Sequence, residues 1–238
     1  MPKPKFKKII LKLSGETMMP PKSKAGISFT EAAGVAKEIK DLTSLGVGVG
    51  IVVGGGNIIR GHTVSAKGTM RSRADMMGML ATVINSMVLQ QELEKIKIES
   101  LLFSSLPMLN IVPPLNRELA YSKIDAGSVV IFAGGTGNPF FSTDTAAVLR
   151  ALEVDAHAIF KGTKVDGVYD SDPMKNKNAK KFDKLSYLDV LKRELKVMDL
   201  TAVSMCMDNN LPIVVFDMFK AGNLRKIVLG EPIGTIVA

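Results

Sequence analysis

The 238-residue sequence has no tryptophan, three tyrosines, two histidines and one cysteine, and each shortage removes a class of function. A single thiol, Cys206, has no partner for an internal disulfide and is too little for a cysteine-based metal site, which points to a reducing compartment. Cys206 lies in an apolar-periodic stretch and reads as a core thiol. His62 and His157 are far apart and lack partners at metal-ligand spacing, so no zinc site is expected. With so few aromatic side chains, base-stacking platforms are scarce; nucleic acid is therefore a disfavoured partner even though the net charge is +8. No apolar run approaches the roughly 18–20 residues that cross a bilayer. The basic start Met1–Lys8 leads into a short Ile/Leu stretch broken by Lys12, without a small-residue cleavage site, so neither a membrane nor a signal peptide is expected and the reading is cytoplasmic.

Several nucleotide and hydrolase signatures are also missing. There is no Gly-x4-Gly-Lys-Ser/Thr, no Gly-x-Gly-x-x-Gly, no protein-kinase signature set and no Gly-x-Ser-x-Gly elbow. A phosphate-binding role, if present, must use other geometry.

What is present is a globular chain, 46% hydrophobic, in which apolar strands alternate with amphipathic helices. Strands are expected at Lys8–Leu13, Val47–Val53, Glu99–Phe103, Ser128–Ala133, Ala156–Phe160, Ile213–Phe216 and Thr235–Val237. The first helix is expected to start at a Ser28/Glu31 capping pair and run through Leu42. A long helix is expected over Arg73–Glu94, with Met76, Met77, Leu80, Val83, Ile84, Met87 and Val88 on one broad face suited to core or subunit contact. Shorter helices are expected at Asn116–Ile124, Thr143–Leu152, Tyr187–Leu191, Leu200–Asn209 and Leu224–Leu229. Residues 16–27 and the basic stretch Lys175–Lys184 read as exposed loops. Alternating strands and helices imply parallel crossover units, and strands apolar on both faces imply helices on both sides. The fold class is therefore α/β, a three-layer α/β/α sandwich with a mainly parallel central sheet, in one domain over residues 1–238.

Ligands of open α/β sheets bind beyond the carboxyl ends of the strands. Four such ends here are glycine-rich or polar: 12–16, 54–61, 134–145 and 161–172. Glycines admit phosphate oxygens close to backbone N–H groups, and a following helix N-terminus favours negative charge. Lys12, a cation among apolar residues at a strand end, reads as a phosphate contact. Arg60, four residues after the glycine triplet, suits the same task or a solvated helix charge. Asp75 and Asp144 stand near helix starts, where an acid also merely complements the helix dipole.

The ordered segments Leu11–Glu16, Gly54–Gly61, Asp75–Thr82, Gly135–Asp144, Thr163–Tyr169 and Glu194–Asp199 closely resemble the bacterial uridylate kinases of the amino-acid-kinase superfamily, nearly end to end. The resemblance implies transfer of a phosphoryl group from ATP to UMP, with Mg²⁺ carried by ATP and no protein metal ligand. It implies that Lys12, Leu13, Ser14 and Gly15 contact ATP phosphates, that Gly55 faces UMP and Gly56 ATP, and that Arg60 reaches the phosphates near the transfer point. Asp75 would bind the UMP ribose, and Thr136, Gly137, Asn138, Pro139, Phe140, Phe141, Ser142 and Thr143 would wrap UMP. Thr163, Tyr169 and Asp172 would hold the adenine nucleotide. Asp144 would orient the catalytic lysines and Asp199 would support the site. Either Lys161 or Lys164 would supply a second cation. The N-terminal part would be mainly UMP-binding and the C-terminal part mainly ATP-binding. A homohexamer, with GTP and UTP as effectors, is likewise implied. The chain departs from the family at His157, where an acid is usual, at Gly162, where alanine is commoner, and at Pro21–Gly26, the region linked to GTP regulation. Two rivals remain: a superfamily member phosphorylating a carboxylate or carbamate, and a non-catalytic nucleotide sensor or nucleic-acid-binding regulator.

Overall fold

A computed structural model describes residues 3–59 and 68–238. Its strands are β1 (Lys8–Leu13), β2 (Gly48–Val53), β3 (Ser100–Ser104), β4 (Val129–Ala133), β5 (Ala158–Thr163), β6 (Val168–Tyr169), β7 (Lys181–Phe182), β8 (Lys184–Leu185), β9 (Ile213–Asp217) and β10 (Thr235–Val237). The main sheet runs β3-β4-β2-β1-β5-β9-β10-β8, and every neighbouring pair is parallel except β9 with β10. The order reverses at β1, which has β2 on one side and β5 on the other, so a crevice opens beyond the carboxyl ends of these strands.

Helices α1 (Phe29–Thr43), α2 (Arg71–Lys95) and α7 (Asn223–Val228) cover one face; α3 (Arg117–Asp125), α4 (Thr143–Glu153), α5 (Tyr187–Lys192) and α6 (Leu200–Asp208) cover the other. The expected three-layer arrangement is therefore present. Strand periodicity decides what faces which layer. Ile9, Leu11 and Leu13 of β1 pack with α1, and Ile10 packs with α3 and α4. Lys12 therefore points to the α4 side. In β5, Phe160 belongs to the first layer and Ile159 to the second, so Lys161 shares the face of Lys12.

Caps fix where the helices on the site begin. Ser142 Oγ accepts from the N–H groups of Asp144 (2.9 Å) and Thr145 (3.3 Å), and Asp199 Oδ1 accepts from Ala202 N–H (2.9 Å). Ser28 Oγ accepts from Glu31 N–H (3.2 Å), at the start of α1 as its spacing predicts.

Three expectations change. The end of the expected 175–184 loop is not loop: Lys181–Phe182 pairs with β6 and Lys184–Leu185 joins the sheet edge beside β10, which buries Leu185. That pairing partner lies some fifty residues downstream, beyond any local pattern. Residues 15–18 form a 3₁₀ turn capped by Ser14 rather than open loop. On α2, Val83 turns into the core, whereas Met76, Met77, Leu80, Ile84 and Met87 form an exposed apolar strip.

Candidate active site

The centre of the crevice is a charge cluster built by the strand pairing. Lys12 and Lys161 are register partners across β1 and β5. Two cations so close repel, and the carboxylate that holds them is Asp144, in the first turn of α4. Its Oδ1 lies 2.6 Å from Lys12 Nζ and its Oδ2 lies 2.8 Å from Lys161 Nζ. Lys161 also donates to the carbonyl of Val197 (2.6 Å). Burial pushes the Asp144 carboxyl up, but the two lysines outweigh it and hold the group down at about 2. Burial pulls the Lys161 ammonium below its ordinary value, against the attraction of Asp144.

Asp199 braces this cluster from behind. As the cap of α6 it also accepts from Ser142 Oγ, the cap of α4, and from Thr145 Oγ1 (3.1 Å). Two helix N-termini are thereby pinned together, and that of α4 faces the crevice, where Ser142 and Thr143 line a cavity.

Three cavities surround the cluster. One, about 330 Å³, is lined by Lys12, Ser14, Glu16, Lys161, Gly162 and Lys164 among others. It continues at Thr163 into a cavity of about 410 Å³ that includes Tyr169 and Asp172. Tyr169 Oη donates to Asp166 Oδ1 (2.5 Å), and Asp172 Oδ1 accepts from Met174 N–H (2.9 Å). The third, about 210 Å³, lies between α2 and the 135–143 loop, and includes Gly55, Gly56, Asp75, Phe141, Ser142 and Thr143. Lys12 and Lys161 line the first cavity, and Asp144 follows directly on Ser142 and Thr143 of the third, so the charge cluster stands between the two.

Close approach explains two glycines. A Cβ on Gly15 would stand 2.2 Å from Asn57 Oδ1 and 2.7 Å from Gly54 O, so the turn after β1 nests directly on the turn after β2. A Cβ on Gly55 would stand 2.6 Å from Gly78 O, so this glycine lets α2 pack against the triplet.

The other expected residues fall as follows. Leu13 is buried in the core and offers only backbone to the crevice. Gly55 and Gly56 both line the third cavity, so the expected division between them is not visible in the lining. Asp75 has both oxygens on Arg71 Nε (2.8 and 2.9 Å) and accepts from Phe140 N–H (2.9 Å), tying the 136–142 loop to α2. Phe140 is exposed and takes φ +72°; Thr136 and Asn138 bond to each other at the loop tip, alongside Gly137 and Pro139, outside the lining of the cavity. Arg60 and His62 lie outside the described residues. Between the two lysines that the sequence left undecided, Lys161 joins the cluster, whereas Lys164 is half exposed at the rim, 2.8 Å from Glu16. His157 is exposed at the start of β5, where its Nδ1 accepts from Lys7 N–H (3.3 Å), away from the cluster. Cys206 is fully buried, and burial pushes its thiol up to about 12, as a core thiol requires.

Sequence reasoning passed over the polar side chains that hold the site in place. Thr82 accepts from Gly134 N–H (2.8 Å), Ser105 donates to Gly135 O (2.9 Å), and Asn57 and Asn85 form a buried pair. Thr82 and Asn57 lie inside the quoted segments, but nothing local marks their partners.

A strand-end lysine pair on one carboxylate, between two cavities and with no P-loop, agrees with a match over residues 7–217 to the amino acid kinase family, and the chain belongs to that family. Similar proteins in it include uridylate kinases. A uridylate kinase of Legionella pneumophila (strain Corby) is 50% identical over 236 residues, covering 99% of this chain and 96% of that protein. The crystal structure of UMP kinase from Bacillus anthracis matches with a TM-score of 0.93 at 39% identity, over 98% of this chain and 96% of that one. UMP kinase from Ureaplasma parvum matches with a TM-score of 0.90 at 33% identity, over the whole of both chains.

Proposed function

We propose that this chain is a UMP kinase that transfers the γ-phosphoryl group of ATP to UMP, giving UDP and ADP. The observation that carries the reading is the Lys12–Asp144–Lys161 cluster at the junction of two cavities. The cavity on the β5–β9 side, with Thr163, Tyr169 and Asp172, takes the adenine nucleotide; its triphosphate runs along Ser14 and Gly15 to Lys12 and Lys161. The cavity against α2, with Gly55, Asp75 and the 136–143 loop, takes UMP. In this reading residues 1–238 are one domain, with a mainly UMP-binding N-terminal part and a mainly ATP-binding C-terminal part.

A phosphate oxygen of UMP attacks the γ-phosphorus in line; that P–O bond forms as the bond to the bridging oxygen of ADP breaks. The acceptor phosphate is already anionic near neutral pH, since its second ionisation falls at about 6, so no general base is required. Positioning and charge stabilisation dominate the chemistry. Lys12 and Lys161 face the transferred group as cations, and Asp144 keeps both in place without contacting it. Asp199 acts through the caps of α4 and α6. Arg60 completes the phosphate contacts on the family pattern. Magnesium enters on the triphosphate, as the resemblance implies, and Asp144, the acid nearest the transfer point, is committed to two lysines.

Among the described residues no helix is long and apolar enough to cross a membrane, and a cytoplasmic enzyme is the corresponding reading. The exposed strip of α2 supports a homo-oligomer, a hexamer on the family pattern. GTP and UTP as effectors rest on the resemblance alone, and Pro21–Gly26 departs from it. Light scattering at micromolar concentration should return a multiple of 25.6 kDa; a monomer mass would remove the assembly from the reading.

A coupled ADP-release assay with ATP, Mg²⁺ and separate acceptors (UMP, CMP, dUMP, AMP, aspartate, glutamate, carbamate) tests the reaction. Turnover with UMP is expected. Turnover with a carboxylate or carbamate instead would overturn the acceptor, and no turnover with any of them would overturn the enzyme.

A further inference from the structure

Among the described residues, a buried amide pair beside the site has no part in the expected catalytic set. Asn57, at the end of the glycine turn, and Asn85, on α2, are 1% and 0% exposed. Their amides face each other reciprocally: Asn85 Nδ2 donates to Asn57 Oδ1 (2.7 Å), and Asn57 Nδ2 donates to Asn85 Oδ1 (3.1 Å). The remaining hydrogens go to backbone carbonyls, Asn85 Nδ2 to Gly54 O (2.7 Å) and Asn57 Nδ2 to Gly26 O (3.0 Å). Turning either amide over would set oxygen against oxygen, so the pattern fits one arrangement only. Gly26 N–H returns a bond to Asn57 O (2.8 Å).

Asn85 also continues a stripe along α2. Asp75, Gly78 and Thr82 recur at helical spacing and line the third cavity, and Asn85 follows three residues after Thr82. Thr82 holds the N–H of Gly134 at the end of β4, and Asn85 holds the carbonyl of Gly54 at the end of β2. β2 and β4 are sheet neighbours. One helix face thus grips both glycine-rich strand ends between which the acceptor cavity opens. Gly15 of the lysine-led turn packs directly on Asn57 Oδ1 and Gly54 O.

We propose that the Asn57–Asn85 amide pair is a positioning device for phosphoryl transfer. It fixes the acceptor-side glycine turn against the lysine-led turn, and so sets the approach of the acceptor oxygen to the donor phosphate. Neither side chain lines any of the three cavities, so the pair acts through the turns it holds. Transfer demands reacting atoms at near-contact distance and in line, and a displacement of about 1 Å costs on the order of 100-fold. The inference rests on the kinase reading, though not on which acceptor is used.

The test uses Asn85→Asp in the full chain. The carboxylate still accepts from Asn57 but opposes Gly54 O and Asn57 Oδ1 with negative charge. A buried carboxyl has a raised pKa and becomes neutral as pH falls, regaining a donor. Charged groups on the surrounding elements have partners of their own: Asp75 with Arg71 and Glu92 with Lys95 on α2, Lys12 with Asp144 on β1, Glu16 with Lys164 on the 3₁₀ turn, and Glu38 of α1 with Gly222 N–H. At pH 8 the variant should turn over about 30-fold more slowly than the parent, with both nucleotide KM values within about threefold. The variant-to-parent kcat ratio should then recover at least about fivefold by pH 5.5, because acceptor ionisation cancels in that ratio. A kcat within twofold of the parent at pH 8, or a loss that does not change with pH, would overturn the role. If Asn85→Asp does not yield folded protein, Asn57→Asp applies the same charge from the other side with the same expected recovery. A parent inactive toward UMP bears on the acceptor; the ratio is then measured with whichever acceptor it uses.

Discussion

Lys12→Ala should lower turnover at least about 100-fold, the scale on which losing one preorganised electrostatic contact acts, while the protein stays folded. The charge arithmetic of the cluster separates these two effects. Lys12 and Lys161 share one carboxylate, so the group carries one positive charge in excess. Removing Lys12 leaves Lys161 and Asp144 as a balanced pair, still 2.8 Å apart, and Lys161 keeps its bond to Val197 O. The fold loses little, but the excess charge is what the transferring phosphoryl group would meet. Steady-state kinetics with saturating UMP should show kcat falling far more than the KM for ATP rises, since Ser14 and the Tyr169–Asp172 cavity proposed for the nucleotide are untouched. Unchanged turnover would take the lysine out of the mechanism. A fall caused by unfolding would appear as a lost cooperative transition and would contradict the charge argument.

How much of this was legible beforehand depends on the distance over which each feature is encoded. The strands of the sheet centre are short apolar runs bounded by glycine, and α1 opens on a serine whose cap is local; both can be read residue by residue. Lys12 stood out because a cation inside an apolar strand is costly without a partner. Its partner, Asp144, could be proposed only through the family resemblance, because it lies far along the chain on α4, facing the β1–β5 register that sets Lys161 beside Lys12. The same register separates Lys161 from Lys164: strand alternation turns the first toward α4 and leaves the second at the rim. The β7 and β8 strands were missed because they are two residues each, lysine-rich, and stabilised by neighbours far along the chain. The supporting amides and hydroxyls escaped notice for a related reason. Asn57, Thr82 and Asn85 have unremarkable local contexts, and what makes them matter is burial against a backbone carbonyl or N–H that only the tertiary structure supplies.

Asp144→Asn should do what Lys12→Ala does not and destabilise the protein. It leaves Lys12 and Lys161 side by side on adjacent strands, both largely buried, with no anion between them. Leaving a buried charge without its partner costs about 3–5 kcal/mol; at the lower end, for a chain of this size, that is a fall in Tm of roughly 6–12 °C. The sign of the pH dependence follows from the depressed carboxyl. A group at about 2 in the folded protein, against an ordinary value near 3.8, binds its proton more readily when unfolded. Its stabilisation, about 2 kcal/mol, is complete above the unfolded value and is lost as pH falls through the folded one. Burial of Lys161 works in the opposite direction, which is why the carboxylate is needed there at all. Urea unfolding of parent and variant at pH 7 and pH 3 should therefore show the gap narrowing by about 1 kcal/mol, because only the parent has this term to lose. A gap that stays constant, or widens toward acid, would mean that Asp144 does not hold its charge for the two lysines, and the electrostatic centre of the proposed site would have to be placed elsewhere.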